Sequence, residues 1–192
     1  EILVESAIKK INGLKKKNIK ILDLGTGSGC IIISIFLELK KISKKLIGSG
    51  VDISEKALSI ARKNAKVYGL STKINFFKSD LFSKVTETYD IIVSNPPYIR
   101  QDGIEALSNS VKLFDPYLSL NGGKDGLKFY KKIFYKLPHY LKSDGYLFLE
   151  IGEGQFEDVV KIFSEDKSLK YHFLKDYSKI VRCLIFYYKK KI

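Results

Sequence analysis

The chain has no methionine and no tryptophan, and only two cysteines, two histidines and four prolines among its 192 residues. Without a methionine it holds no initiator. It opens directly on a helical pattern, so it reads as a fragment or a processed product. Cys30 and Cys183 both fall within apolar runs, and neither has a Cys or His at metal-ligand spacing. Each is therefore expected as a buried, reduced thiol, and no zinc or other metal site is expected. No apolar run approaches the ~20 residues needed to span a bilayer, and the first residues carry no signal-peptide pattern. A cytoplasmic location with no membrane association is the expectation. His139 and His172 sit in helix and strand patterns away from the loops, where they read as structural or surface residues rather than general bases. With no internal repeat and no linker, residues 1–192 are expected to form one domain, and a monomer.

What the chain has in excess is positive charge: 34 Lys and Arg against 21 Asp and Glu, a formal net charge of +13. Lysines cluster at Lys9-Lys10, at residues 15–17, at Lys40-Lys41 and Lys44-Lys45, and at residues 189–191. Such a surface favours nucleic acid or a ribonucleoprotein partner. A biased composition, with lysines dispersed between elements, accounts for the same numbers.

Hydrophobic spacing divides the chain into alternating elements. Residues 1–14 read as an amphipathic helix through Ala7, Ile11 and Leu14, with Gly13 near its end. Residues 19–24 form a first buried strand, and Ile31, Ile32, Ile35, Phe36 and Leu39 mark a helix. A second strand covers 46–53. Ser54 is placed to cap the next helix, whose Leu58, Ala61 and Ala65 share a face and whose stop is Gly69. Strands follow at 73–78 and 90–93. Residues 99–125 show weak periodicity, and so long an irregular segment is usually a lid or a substrate-binding loop. Leu127, Tyr130, Phe134 and Leu137 mark a helix that Pro138 is expected to kink or restart. Ser143-Asp144-Gly145 is expected to turn into a strand at 146–151. Phe156, Val159, Val160 and Phe163 share one side of another helix, and strands at 169–174 and 181–188 should pair antiparallel. The alternation predicts an α/β fold with a mostly parallel sheet covered on both faces.

The most informative stretch is Tyr89-Asp-Ile-Ile-Val-Ser-Asn-Pro-Pro-Tyr98. Its first half is a buried β-branched run. Its second half cannot continue a ladder, because Pro96 and Pro97 have no N–H and Pro96 holds Asn95 out of the helical region. A stiff turn therefore stands at the carboxyl end of a buried strand, where open α/β sheets bind ligands. It offers the Asn95 side-chain carbonyl, the Pro96 main-chain carbonyl and the Tyr98 ring. Two such acceptors can grip both hydrogens of a planar NH2 group, an amide or an adenine, while a ring stacks on the attached plane.

A second constellation lies earlier. Gly25-Thr26-Gly27-Ser28-Gly29 joins the first strand to the first covering helix, where glycines let the backbone approach a ligand and the helix N-terminus offers free N–H groups. Asp52 ends the second strand, placed to accept from two ribose hydroxyls. A glycine-rich turn alone is a weak signal, shared by nicotinamide-cofactor enzymes, but its Gly-x-Gly-x-Gly spacing is shorter than the dinucleotide Gly-x-Gly-x-x-Gly.

Taken together these residues resemble the class I S-adenosylmethionine-dependent methyltransferases, which have a Rossmann-like, mostly parallel seven-stranded sheet with an antiparallel last strand. Within that class, Glu1-Ile2-Leu3-Val4-Glu5, residues 23–29, Ser79-Asp80-Leu81-Phe82, residues 93–99, Phe114-Asp115-Pro116, residues 122–127 and Glu150-Ile151-Gly152 resemble the protein-(glutamine-N5) methyltransferases. These enzymes methylate the glutamine of the Gly-Gly-Gln loop in peptide chain release factors. The resemblance implies S-adenosyl-L-methionine as methyl donor and S-adenosyl-L-homocysteine as product. It implies that Gly25, Thr26, Gly27, Ser28 and Gly29 wrap the methionine part, with Asn95 near its end. Asp52 would hold the ribose, and Asp80 and Leu81 would border the adenine. Asn95, Pro96, Pro97 and Tyr98 would bind the substrate glutamine, with Asn95, Pro96 and Tyr98 serving the chemistry. Where some family members carry Trp, this chain has Leu81, so adenine stacking is expected to be weaker or taken over by Phe82. The family's N-terminal helical domain is absent from the sequence. The other readings are an adenine-N6 methyltransferase acting on DNA or RNA, which suits the positive charge, and a nicotinamide-dependent dehydrogenase or nucleotide-binding module.

Overall fold

The computed structural model describes residues 1–104 and 117–188. Helix α1 (Ile2–Gly13) buries Leu3, Ala7 and Ile11, and Leu14, where the backbone is already extended, packs half-buried against the same core. There follow β1 (Asn18–Leu24), α2 (Cys30–Glu38), β2 (Lys45–Asp52), α3 (Glu55–Val67), β3 (Ile74–Lys78) and β4 (Tyr89–Ser94). After a 3-10 turn at Gln101–Gly103 come α4 (Tyr117–Leu120), α5 (Lys128–Tyr140), β5 (Leu141–Glu150), α6 (Phe156–Phe163), β6 (Leu169–Lys175) and β7 (Val181–Tyr188). Among the described residues no helix is long and apolar enough to cross a membrane.

The strands form one sheet in the order β3-β2-β1-β4-β5-β7-β6. All run parallel except β7, which pairs antiparallel with both β5 and β6. The predicted class of sheet, including its single antiparallel last strand, is therefore present. The central strands alternate between two cores, which is why they read as unbroken apolar runs. Ile19, Ile21, Ile91, Val93 and Phe148 face the side covered by α1, α2 and α3. Leu22, Leu24, Ile92, Leu147 and Leu149 face α5 and α6. Every residue of β4 is buried.

Local signals act largely as read. Ser54 Oγ accepts the Ala57 N–H at 3.2 Å. Past the end of α3, Gly69 takes φ +68° while its N–H bonds Lys66 and that of Leu70 bonds Ala65, a paired closure of the last turn. Three expectations need correction. Cys30 is exposed, because it stands at the first position of α2 rather than on that helix's buried face; Cys183 is buried, which pushes its thiol up to about 12. Pro138 does not restart α5, whose helix runs on to Tyr140 with the Leu141 N–H closing on Leu137. The ring has no N–H to give the ladder, and the helix continues past it for two residues. The turn expected at Ser143-Asp144-Gly145 lies inside β5, where the pairing with β4 jumps from Tyr89↔Leu141 to Ile91↔Tyr146 and the extra residues are taken up as a bulge.

Beneath the amino end of the sheet a single acid holds three segments. The Asp90 side chain is 1% exposed and accepts from Lys16 Nζ at 2.5 Å, Lys142 Nζ at 2.8 Å and the Lys20 N–H at 2.9 Å. Burial alone would raise its carboxyl. The bonds from Lys142, Lys16 and the Lys20 amide outweigh that and hold it below the ordinary carboxylate value. A lowered folded value means stabilisation that is present above the unfolded carboxylate pKa and is lost as pH falls through the folded one. Asp90→Asn is expected to lower unfolding free energy by about 2 kcal/mol at pH 7. In urea titrations the gap to the wild type should close as the pH drops below about 4.

Candidate active site

The strand order reverses between β1 and β4, and this places both constellations side by side. Leu24 and Ser94 are register partners at the carboxyl ends of these strands, and Ser94 Oγ–H bonds the Leu24 carbonyl at 2.8 Å. Gly25 leaves one strand and Asn95 the other. Val51 pairs with Leu24 on the opposite side, so Asp52 ends β2 beside the glycine turn, and Lys78 pairs with Asp52, which brings Ser79-Asp80-Leu81 to the same edge. The sequence-predicted site residues thus stand on the carboxyl ends of four adjacent parallel strands, at the switch point where such sheets bind ligands.

The glycine turn is fixed from below and open above. Gly25, Gly27 and Gly29 have φ of +69°, +56° and +82°, a left-handed region that side-chain-bearing residues rarely enter. A Cβ at Gly29 would lie 2.9 Å from Ile33 Cδ1, whereas one at Gly25 or Gly27 meets nothing within 4 Å. Thr26 is buried, with its N–H on Val51 and its hydroxyl 2.7 Å from Asp23 Oδ2. Ser28 and Cys30 bring their side-chain ends within 3.1 Å of each other. Asp52, half-buried, accepts the Gly27 N–H at 2.9 Å on one oxygen and the Ser54 N–H at 2.8 Å on the other. It ties the turn to the start of α3, and each oxygen keeps a second lone pair for a ligand hydroxyl. Ile53, next in the chain, is 54% exposed, an apolar side chain left uncovered beside the acid.

Asp23 lies under this turn with no exposure, and its Oδ1 has no hydrogen bond. Burial, together with the nearby charge of Asp52, raises its carboxyl to about 7 against the help of Thr26 and the Ile32 amide. A raised folded value gives stability that is full below the unfolded carboxylate pKa of about 4 and lost as pH rises through 7. The interval amounts to ~4 kcal/mol. Thermal or urea stability should therefore fall across that window, and Asp23→Asn should flatten the descent.

The adenine expectation needs one correction. Phe82 is 3% exposed and stacks on Tyr140 with centroids 4.5 Å apart and planes 7° from parallel, so it belongs to the core and cannot take over a ligand ring. Leu81 is half-buried at φ +48°, unusual for a residue with a side chain, with the Ser79 hydroxyl bonded to its carbonyl at 2.7 Å. Asp80 is exposed and forms an ion pair with Lys132 of α5 at 3.0 Å.

In the turn after β4, Asn95 is exposed, Pro96 is buried, and Pro97 and Tyr98 are half-buried. No described donor is bonded to the Pro96 carbonyl. The Asn95 side chain lies against the carboxylate of Glu150, at the end of β5. Burial raises the Glu150 carboxyl, while Arg182 and Asn95 pull it back. The Tyr98 hydroxyl is also raised, chiefly by burial and then by Glu150. After Tyr98 the chain is strapped to a later segment: Ile99 bonds Leu120 and Gly122, and the Gln101 N–H bonds Gly123. Of the segment expected as a lid or substrate loop, residues 105–116 lie outside the described residues, and Phe114-Asp115-Pro116 with them. His139 and His172 are both exposed, the latter 3.1 Å from the Tyr187 hydroxyl. Among the described residues no three His, Cys, Asp or Glu side chains gather as a metal site. Glu150 and Ile53 were given no role from the sequence, because only the fold brings them to this edge.

The fold and this edge define a class I S-adenosylmethionine-dependent methyltransferase. The chain belongs to the family of the methyltransferase small domain, whose model matches residues 5–114. It is 42% identical over 187 residues to the release factor glutamine methyltransferase of Fusobacterium nucleatum, covering 96% of this chain and 51% of that one. It is 38% identical to the proteins of the same name from Rhodospirillum rubrum and Agrobacterium fabrum, covering 55% and 64% of them. The chain thus spans between half and two thirds of these relatives' length. Among solved structures it is similar to the hMettl16 catalytic domain in complex with a MAT2A 3'UTR hairpin, with TM-score 0.71, 17% identity and coverage of 99% of this chain and 72% of that one. It is also similar to ribosomal protein L11 methylase from Lactobacillus delbrueckii, with TM-score 0.64, 20% identity and coverage of 95% and 76%.

S-adenosylmethionine is the methyl donor of this family and fold, and the residues present suit it. Open space above Gly25 and Gly27 leaves room for a ligand against bare backbone. Asp52 keeps acceptor capacity beside that space, and the exposed Ile53 and half-buried Leu81 come shortly after the register partners Asp52 and Lys78.

Proposed function

We propose that this chain transfers a methyl group from S-adenosylmethionine to the side-chain amide nitrogen of the glutamine in the Gly-Gly-Gln loop of peptide chain release factors. The observation that carries the reading is the adjacency of the Asn95-Pro96-Pro97-Tyr98 turn and the glycine turn across the Leu24–Ser94 pair. The names of the relatives support the substrate. The residues 25–29 and Asp52 hold the donor, with Asp80 and Leu81 at its adenine end and Asn95 near its methionine end.

The bound donor supplies an electrophilic methyl group on a sulfonium. The chain supplies position and polarity. An amide nitrogen is a poor nucleophile, since its lone pair is conjugated with the carbonyl. Asn95 Oδ1 and the Pro96 carbonyl take the two N–H hydrogens and stabilise positive charge as it develops on nitrogen. Pro97 stiffens the turn, and the half-buried Tyr98 ring packs on the amide plane. Holding the nitrogen ~3–3.5 Å from its target is worth several kcal/mol. Proton loss to water completes the change, so no general base is required. A substrate from the translation apparatus puts this work in the cytoplasm.

The second reading, methylation of adenine N6, draws on the net charge of +13. It demands a wider slot and, for a duplex, the few kcal/mol of base flipping. Labelled S-adenosylmethionine offered with release factor, duplex DNA and single-stranded RNA separates the two. Label is expected in the release factor and should vanish when the loop Gln is replaced by Ala. Label in nucleic acid as N6-methyladenine, with none in release factor, would replace the first reading by the second.

A further inference from the structure

We propose that Gln155 is a positioning residue that fixes the carboxyl end of the Asn-Pro-Pro-Tyr turn; the catalytic consequence rests on the function proposed above. Its side-chain amide is used at every hydrogen-bonding position. Nε2 donates to the Tyr98 carbonyl at 3.0 Å and to the Gly126 carbonyl at 3.3 Å. Oε1 accepts the Gly152 N–H at 3.0 Å and lies 3.2 Å from the hydroxyl of Tyr130, a fully buried side chain. That hydroxyl divides its single hydrogen between Gln155 and the Glu150 carbonyl at 3.3 Å. Two acceptors face the nitrogen and two donors face the oxygen. The amide has one workable orientation, and neither a carboxylate nor an apolar side chain of the same size can replace it.

The packing around this amide has been cleared of side chains. A Cβ at Gly126 would stand 2.6 Å from the Tyr98 oxygen and 2.7 Å from Gln155 Nε2. One at Gly152 would stand 2.7 Å from Gln155 Oε1 and 2.8 Å from Tyr98 Cδ2, and one at Gly122 would stand 2.8 Å from Tyr98 Cα. Gly122 and Gly126 on one segment and Gly152 on another therefore let two segments close on Tyr98 and on one glutamine. Gln155 also occupies the N-cap position of α6 yet makes no side-chain capping bond. Its polar end serves the turn instead of its own helix.

The turn is held at its other end by β4 and the Ser94–Leu24 bond. Asn95 and Pro96 lie between these two fixings. Without Gln155 the Tyr98 end is held only through the Ile99 and Gln101 backbone bonds to residues 120–123, and a displacement of about 1 Å at a reacting group can cost ~10²-fold in rate. The donor's residues, 25–29 and Asp52, are separate from these contacts.

The test compares wild type with Gln155→Leu and Gln155→Glu. At saturating donor and release factor, kcat is expected to fall ~10–100-fold in both, with donor Kd by calorimetry within about twofold of wild type. Hydrogen exchange should quicken at residues 98–101 and 120–126 and stay unchanged in β1, β2 and α3. Wild-type kcat in either variant, or a loss of rate matched by an equal loss of donor affinity and of thermal stability, would overturn the positioning role. If the wild type methylates no release factor, the proposed function falls while exchange still decides the structural point. Local quickening around Tyr98 then upholds the clamp, and exchange identical to wild type removes it.

Discussion

Asn95→Ala is expected to lower methyl transfer by ~10²–10³, the usual loss for one preorganised polar group at a reacting centre. The side chain is exposed at the ligand edge, near Glu150, and so is free to face a substrate. On the proposed function, its removal takes away one of two acceptors for the substrate NH2. The Pro96 carbonyl remains, belonging to a buried residue. Donor affinity should change far less, because the glycine turn and Asp52 are untouched. Single-turnover rates with labelled donor, beside calorimetric donor binding, measure the two effects separately. A variant with near wild-type turnover would take Asn95 out of the mechanism.

Asp52→Ala should do the reverse, weakening the donor by ~1.5–3 kcal/mol, as for loss of a hydrogen-bonded charged group. The effect has two physical parts. On the proposed placement of the donor the ribose loses its acceptor, and the Gly27 N–H at 2.9 Å and the Ser54 N–H at 2.8 Å lose the anchor that joins the turn to α3. At saturating donor, much of the rate should return, which Asn95→Ala does not allow. Calorimetry with S-adenosylmethionine and NAD in parallel is the check, and wild type that binds NAD but not S-adenosylmethionine would sink the pocket assignment.

The parts of this site that were legible in the sequence are those written locally. Glycines at 25, 27 and 29 announce a left-handed turn, and paired prolines announce the end of β4. An acid closing β2 needs only the strand pattern to be placed. The parts that were missed depend on what lies across the fold. Phe82 looks like a loop aromatic until Tyr140, from the end of α5, is seen stacked on it. Cys30 looks buried among isoleucines until its first-turn position in α2 points it outward. Gln155 is one polar residue before an amphipathic helix, and nothing near it in sequence announces partners at Tyr98, Gly126, Gly152 and Tyr130. Such a residue is visible only when hydrogen-bond partners are counted in space.

The place of β7 has a consequence for how the protein is made. It follows β6 in sequence but sits inside the sheet, between β5 and β6. While the ribosome is still adding residues 181–188, β5 presents an open edge and β6 has no neighbour to pair with. The first five strands can already dock on α1, α2 and α3, so a half-finished sheet should exist on the nascent chain with an apolar strand uncovered. Unpaired edges of that kind invite association with other chains. Insertion of β7 between two waiting strands is the step that closes the sheet, and nascent chains stalled before residue 181 should be the form most exposed to aggregation and to chaperone capture.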